Sequence, residues 1–300
     1  MTATWADVAR KDVEDAARSR LLWGLVAVFV AFVTMALLSA EQLFPDPVTV
    51  DAATALAGVA MLAQLFVPGI ALVAGYVSVV GERRSGSLRV LLSYPFSRSD
   101  VVAGKLVGRG LVTGIALGVG FAAASVLVAA LYGAPDPAAF AGFVAAGALV
   151  GLTFTGLAVG GSAAAPTRGR ARTLTIGSFV GMVFFWKPAV VGLYYAVTGS
   201  LPGLRAEPWY FLLKRLNPLE AYRVLAGAAL DRRVSEVPNL PLEDVPATVT
   251  ATPERLDIAA RLAGEVPLYL ADWFSAVVLL GWAAVPVVAG YRRFERADLE

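Results

Sequence analysis

Six stretches of this chain are each long and apolar enough to cross a lipid bilayer, and no other feature restricts its fold as strongly. They are 21–39, 54–80, 106–132, 138–164, 173–197 and 268–290. A hydrocarbon core of roughly 30 Å takes about 20 mostly apolar residues as helix. Lipid offers no partner to an unpaired backbone amide, so each stretch must satisfy its own hydrogen bonds as a helix. Apolar residues make up 58% of the chain and charged residues 16%, more apolar side chain than a water-soluble globule of this size can hide. The first stretch is longer than the apolar core of a cleavable signal and lacks a small-residue cleavage site, so it is expected to stay as an anchor. The expected fold is an all-α membrane protein, one transmembrane domain over residues 1–300.

Short loops set the orientation through the excess of Lys and Arg on the cytoplasmic side. The N-terminal arm (1–20) carries Arg10, Lys11, Arg18 and Arg20. The loop 81–105 carries Arg83, Arg84, Arg89, Arg98 and Lys105, the next short basic loop has Arg168, Arg170 and Arg172, and the tail 291–300 has Arg292, Arg293 and Arg296. The two alternate short loops hold Glu41, Asp46, Asp51 and Asp136 and no base. Both termini are therefore expected in the cytoplasm. The long segment 198–267 falls outside, where loop charge has little weight. Within it, Trp209, Leu212, Leu213, Leu216, Leu219, Tyr222, Leu225 and Ala226 recur at helical spacing. After several prolines, Thr252–Pro253–Glu254 reads as a helix start. Two helices joined by an extended linker are expected there, on or near the outer leaflet.

The chain has no His and no Cys. That removes thiol chemistry, disulfides, imidazole bases and the usual zinc and haem ligands. The four methionines, Met1, Met35, Met61 and Met182, have no tight ligand spacing for a soft metal. Basic and acidic residues, 25 and 23, nearly cancel, so nothing points to nucleic acid. A phosphate-binding loop needs G-x-x-x-x-G-K-[ST]. The only Gly-Lys pair, Gly104-Lys105, lacks the first glycine and is followed by Leu106. No catalytic residue, cofactor site or metal site is expected in this chain.

Three features have a structural and a functional reading. Gly110, Gly114 and Gly118 repeat at G-x-x-x-G spacing, and 138–164 holds six glycines; these fit packing within the chain or a dimer seam. Lys187 beside Pro188 either snorkels to the outer interface or lines a path with Gln64, with Asp272 as its partner. The loop 81–105 is amphipathic, with Leu88, Leu91 and Leu92 on one helical face. It is either a basic segment resting on headgroups or a docking element for a cytoplasmic partner. Ser99 and Asp100 are placed to cap a helix after Pro95.

The string Glu82-Arg-Arg-Ser-Gly86-Ser87-Leu88, then Leu91-Leu92-Ser93-Tyr94-Pro95-Phe96-Ser97-Arg98, then Gly104-Lys105, resembles a signature of type-2 ATP-binding-cassette exporter permeases. It is most similar to the branch associated with copper-enzyme maturation. The lead-in Asp15–Arg20, the run Asn217-Pro218-Leu219-Glu220-Ala221-Tyr222-Arg223 and the ending Phe294 to Leu299 resemble further parts of that pattern. The resemblance implies a six-span permease, multi-pass in a prokaryotic plasma membrane, with an N-terminal elbow helix. It also implies a separate ATPase subunit holding ATP and Mg, and a second permease copy. The coupling helix would use Glu82, Arg83, Arg84, Gly86, Leu88, Arg89, Leu91, Leu92, Pro95 and Arg98, with the leucines buried against the ATPase. Two other classes remain open on the residues alone: an ion-gradient-driven secondary transporter, which normally shows inverted repeats and midplane charges, and a non-transporting membrane scaffold.

Overall fold

The computed structural model describes residues 5–43, 50–94, 96–238, 240–244, 258–262 and 265–297. Apart from one isolated bridge between Gly203 and Asp244, the regular structure among these residues is helical. Six helices are long and apolar enough to cross a membrane.

The chain begins with α1 (Trp5–Ala17) and the long α2 (Arg20–Leu43). Helix α3 (Ala52–Gly75) starts at Asp51, whose carboxylate accepts from the Thr54 amide at 2.9 Å. Two short helices follow, α4 (Val80–Ser85) and α5 (Ser87–Ser93), joined at Gly86 in the left-handed region with φ 78°. Only glycine adopts that turn without strain. Helix α6 (Arg98–Tyr132) opens with a capping box of Ser97 and Asp100, so the cap lies two residues before the expected Ser99. The remaining long rods are α7 (Pro137–Ala164), α8 (Arg168–Val180) continued through a π-turn at Gly181–Phe185 into α9 (Trp186–Thr198), and finally α13 (Phe274–Glu295). Between them lie α10 (Pro208–Arg215), α11 (Pro218–Leu230) and the single turn α12 (Ile258–Arg261). The expected helix start at Thr252–Pro253–Glu254 lies outside the described residues.

Helices α3 and α7 form the centre. Their apolar stretches are 61% and 67% buried, against 28–33% for the other four rods. Glycine makes this possible. A Cβ on Gly156 or Gly160 of α7 would overlap the carbonyls of Ala283 or Pro286 in α13, and one on Gly290 would overlap the Gly160 carbonyl. The two backbones therefore touch, as small residues permit. Gly147 and Gly151 receive Phe121 and Leu117 from α6. The α7 glycines thus serve packing within the chain. Gly110, Gly114 and Gly118 of α6 do not: a Cβ there meets open space.

The segment expected to lie on a leaflet instead enters the bundle. Helix α10 runs inward from the end where α9 stops, and the chain turns at Asn217. The Asn217 amide donates to the Met182 carbonyl at 2.8 Å, at the middle of the Arg168–Thr198 rod. Helix α11 then returns, with Leu219, Ala221, Tyr222, Ala226 and Leu230 buried in the main core. Its far terminus lies beside Asp51 and Gly142, where Arg232 pairs with Asp51 at 2.6 Å and Ala229 meets Gly142. The correction has a simple cause: the apolar periodicity continues around the turn, but Pro218 cannot prolong α10 and starts a new helix. Helices α10 and α11 form a hairpin packed into the bundle.

Candidate functional site

At the end of the bundle that carries α1 and the last turn of α13, three elements meet through charge and a fourth through a backbone carbonyl. Lys105 of α6 is 4% exposed and Asp12 of α1 is 1% exposed. The Lys105 ammonium contacts Asp12 at 2.7 Å and Glu82 of α4 at 2.5 Å. Arg109 pairs with Asp12 at 2.7 Å and donates to the Ala74 carbonyl at the end of α3 at 2.8 Å. A buried charge is tolerable only when paired and hydrogen-bonded, and here each lies against a counter-charge. Close approach again depends on glycine. A Cβ on Gly104 would come within 2.6 Å of Val8, and one on Gly108 within 2.9 Å of Asp12. Glycines one turn apart open the face of α6 on which α1 rests.

The α4–α5 element is fastened elsewhere too. The Ser162 hydroxyl of α7 accepts from the Val79 and Val80 amides, both at 3.1 Å, and so caps the start of α4. At its exit, Arg98 donates to the carbonyls of Phe294, Glu295 and Ala297 at 2.5, 2.7 and 3.0 Å, with its guanidinium 5.4 Å from the Phe294 ring centre. A cation on the last carbonyls of α13 complements the helix dipole.

Of the residues singled out in this loop, Glu82 and Arg98 are these fasteners, and Gly86 is the left-handed joint. Leu88 is 1% exposed and packs inside the bundle with Val79, Val101, Val102, Val159 and Phe294, while Leu91 lies half-buried against the same group. Leu88 is therefore committed to the chain's own core, unlike the outward leucine ridge expected. Among the described residues, the apolar ones exposed here are Val90 of α5 and Tyr94 just after it, each 62% exposed. Arg84 is exposed and Arg83 half-buried. Pro95 and the side chains of Arg89 and Leu92 lie outside the described residues.

A second polar group lies halfway along the bundle. Gln64, 2% exposed in α3, donates to the Ser235 carbonyl at 2.6 Å, and Lys187 of α9 pairs with Glu236 at 2.6 Å. The carboxylate on Lys187 thus comes from the segment after α11, where the sequence pointed to Asp272. Asp272 sits in the turn leading into α13 and accepts from the Ser275 amide through its carbonyl. Arg223 pairs with Glu220 at 2.6 Å and donates to the Val234 carbonyl at 3.0 Å. Nearer the hairpin mouth, Glu243 accepts from Lys214, from Tyr210 at 2.8 Å and from Arg261 at 3.0 Å. Burial pushes the Glu243 carboxyl up, but Lys214 and then Arg261 outweigh it and hold it well below the usual carboxylate range.

Sequence reasoning missed Asp12, Arg109, Ser162, Glu236 and the role of Asn217. Asp12 had one signal: it shares a helical face with Val8 and Ala9 in an otherwise charged arm. Asn217 caps α11 through Oδ1, accepting from the Leu219 amide at 2.9 Å, while its amide supplies the Met182 carbonyl beside the π-turn. The indoles of Trp186 and Trp282 donate to the Leu213 and Leu216 carbonyls, each at 2.9 Å, and so take up acceptors at the end of α10. Among the described residues, no group of three or more carboxylates is placed to hold a metal ion.

The sequence model of the ABC-2 family transporter proteins matches residues 6–299. A probable ABC transporter permease protein NosY of Pseudomonas aeruginosa is 30% identical over 241 residues, covering 77% of this chain and 84% of the relative. A protein of the same name from Stutzerimonas stutzeri is 30% identical over 236 residues, covering 75% and 81%.

Proposed function

Because the chain belongs to the ABC-2 family of transporter proteins, we propose that it is the membrane-spanning permease of an ATP-driven exporter, working with a separate ATPase subunit. ATP and Mg bind that subunit, and this chain contributes no catalytic residue. The end carrying α1 and the end of α13 faces the cytoplasm of a prokaryotic cell, in keeping with its surplus of Lys and Arg. There α1 is the elbow helix and α4–α5 the coupling element. A second copy of the permease completes the transporter. The polar residues at mid-bundle, Gln64 and Lys187, border the path, with Asp272 near its outer mouth.

One observation carries the coupling proposal: a short element with an exposed face is fastened to several others. Ser162 holds it to α7, Lys105 to α6 and through Asp12 to α1, and Leu88 to the core, while Arg98, where the chain passes into α6, is bonded to the end of α13. A push on α5 must therefore reach several rods at once, as rigid-body switching requires. Among the described residues, the docking surface is made of the outward Val90 and Tyr94 with Arg84. An apolar centre with charge at its rim is the usual pattern of a stable contact.

The joint change Val90→Asp with Tyr94→Asp, at two exposed positions, tests this. The purified permease is expected to keep its elution profile and thermal midpoint while losing the co-purifying ATPase. Retention of the ATPase by the doubly changed protein sinks the assignment of α5.

A further inference from the structure

After α11 the chain dips back into the bundle as a strap, residues 232–238, that has no regular structure. Irregular backbone at membrane depth persists only where protein buries it or water reaches it. Three donors from three elements hold it. Arg223 of α11 donates to the Val234 carbonyl at 3.0 Å, Gln64 of α3 to the Ser235 carbonyl at 2.6 Å, and Lys187 of α9 to the Glu236 carboxylate at 2.6 Å. In these three contacts the strap offers only acceptors, one of them an anion. Its partners are an amide and two cations.

This arrangement is a poor choice for stability alone. A buried ion pair holds a fold no better than apolar residues of the same volume. Two residues earlier in the strap, Val234 is 2% exposed within the main core. The charges are also not sealed: the Lys187 and Glu236 side chains keep 11% and 25% of their exposure. Glu220 fixes the Arg223 guanidinium from behind, with Nη2 at 2.6 Å and Nε at 3.0 Å from its carboxylate, and balances its charge. Once Glu236 leaves, the Lys187 ammonium is the unbalanced charge among these residues.

We infer that Gln64, Lys187 and Arg223 form a binding site for an anionic, acceptor-rich group such as a carboxylate, and that Glu236 occupies it as a built-in stand-in until such a ligand displaces the strap. The place of this site in a transport cycle rests on the permease reading; its chemistry does not. For the exporter proposed above, it makes the cargo a molecule with an oxyanion group.

The chain is free of cysteine, so one introduced thiol reports alone. Gln64→Cys is made in the full-length protein in nanodiscs and treated with two methanethiosulfonates of similar reach, one bearing a sulfonate and one a trimethylammonium. With the strap still held by Lys187 and Arg223, both react slowly. Adding Glu236→Gln replaces the ion pair by a bond to a neutral amide oxygen, and the sulfonate rate is expected to rise about tenfold, the cationic rate less. Further adding Lys187→Met should erase the difference. Equal acceleration of both reagents, faster reaction of the cation, or no acceleration overturns the site. The swapped pair Lys187→Glu with Glu236→Lys keeps an ion pair should the neutral variant fail to fold. Opened with denaturant below the unfolding midpoint, it must favour the cationic reagent, and a persistent preference for the sulfonate also overturns the site. These readouts involve no ATP, so their failure leaves the permease reading standing, and loss of that reading leaves them unchanged.

Discussion

A glycine in this protein is informative according to what its missing side chain would strike. Gly160 and Gly114 look alike in the sequence, each inside an apolar run rich in small residues. In the folded chain, Gly160 lies against the Pro286 backbone and Gly114 faces open space. Gly160→Ala should force α7 and α13 apart and cost about 1–3 kcal/mol, as overpacking of a rigid site does. Gly114→Ala should be neutral or stabilising by up to about 1 kcal/mol, the difference in helix propensity. Thermal unfolding of the two variants in detergent checks this, and equal midpoints contradict it. The same limit on sequence reading applies to Leu88. Periodicity put it on a face with Leu91, but which way that face turned depended on Val101 and Phe294.

At the scale of elements, the α10–α11 hairpin shows what periodicity conveys and what it omits. Its apolar face was legible from Trp209 to Ala226. Its inward course was not, because that depends on Asn217 meeting Met182 and on two indoles meeting the end of α10. The hairpin mouth is tied by Glu243 to Lys214, Tyr210 and Arg261, and this tie gives the element a pH dependence. The folded Glu243 carboxyl lies below the usual range, whereas in an unfolded segment it titrates near about 4.3. Its contribution is therefore complete above that value and is lost as pH falls through the folded value. Hydrogen exchange in α10, corrected for the intrinsic rate, should be unchanged from pH 7 to about 5 and should rise below about 4. Glu243→Gln should show the loosened state already at neutral pH and remove the acid transition. An acid transition that survives this substitution would place its cause elsewhere.

For the whole molecule, the charges around Lys105 join parts that the sequence keeps far apart. Lys105 is bonded to both Asp12 and Glu82, so Lys105→Met takes this partner from Glu82 and leaves the buried Asp12 with Arg109 alone. Breaking a pair of this kind costs about 3–5 kcal/mol. The expected result is a joint loss of exchange protection in α1 and α4. Removing the exposed Arg10–Glu14 pair with Arg10→Ala should alter neither by more than about 1 kcal/mol. Loss of protection in only one of the two helices would show that Lys105 does not link them.

The sequence alone determined the six rods, because the demand of lipid is met locally: each run must be apolar and must pair its own backbone, whatever its neighbours do. It also carried the family pattern in the 81–105 loop. The folded chain decided what depends on distant partners. These are the insertion of the hairpin, the inward turn of Leu88, the pairing of Lys187 with Glu236 and the fastening of Arg98 to residues almost two hundred positions away. A charge in a sequence states what it requires, a counter-charge and hydrogen bonds. Only packing in three dimensions determines which of several candidates supplies them.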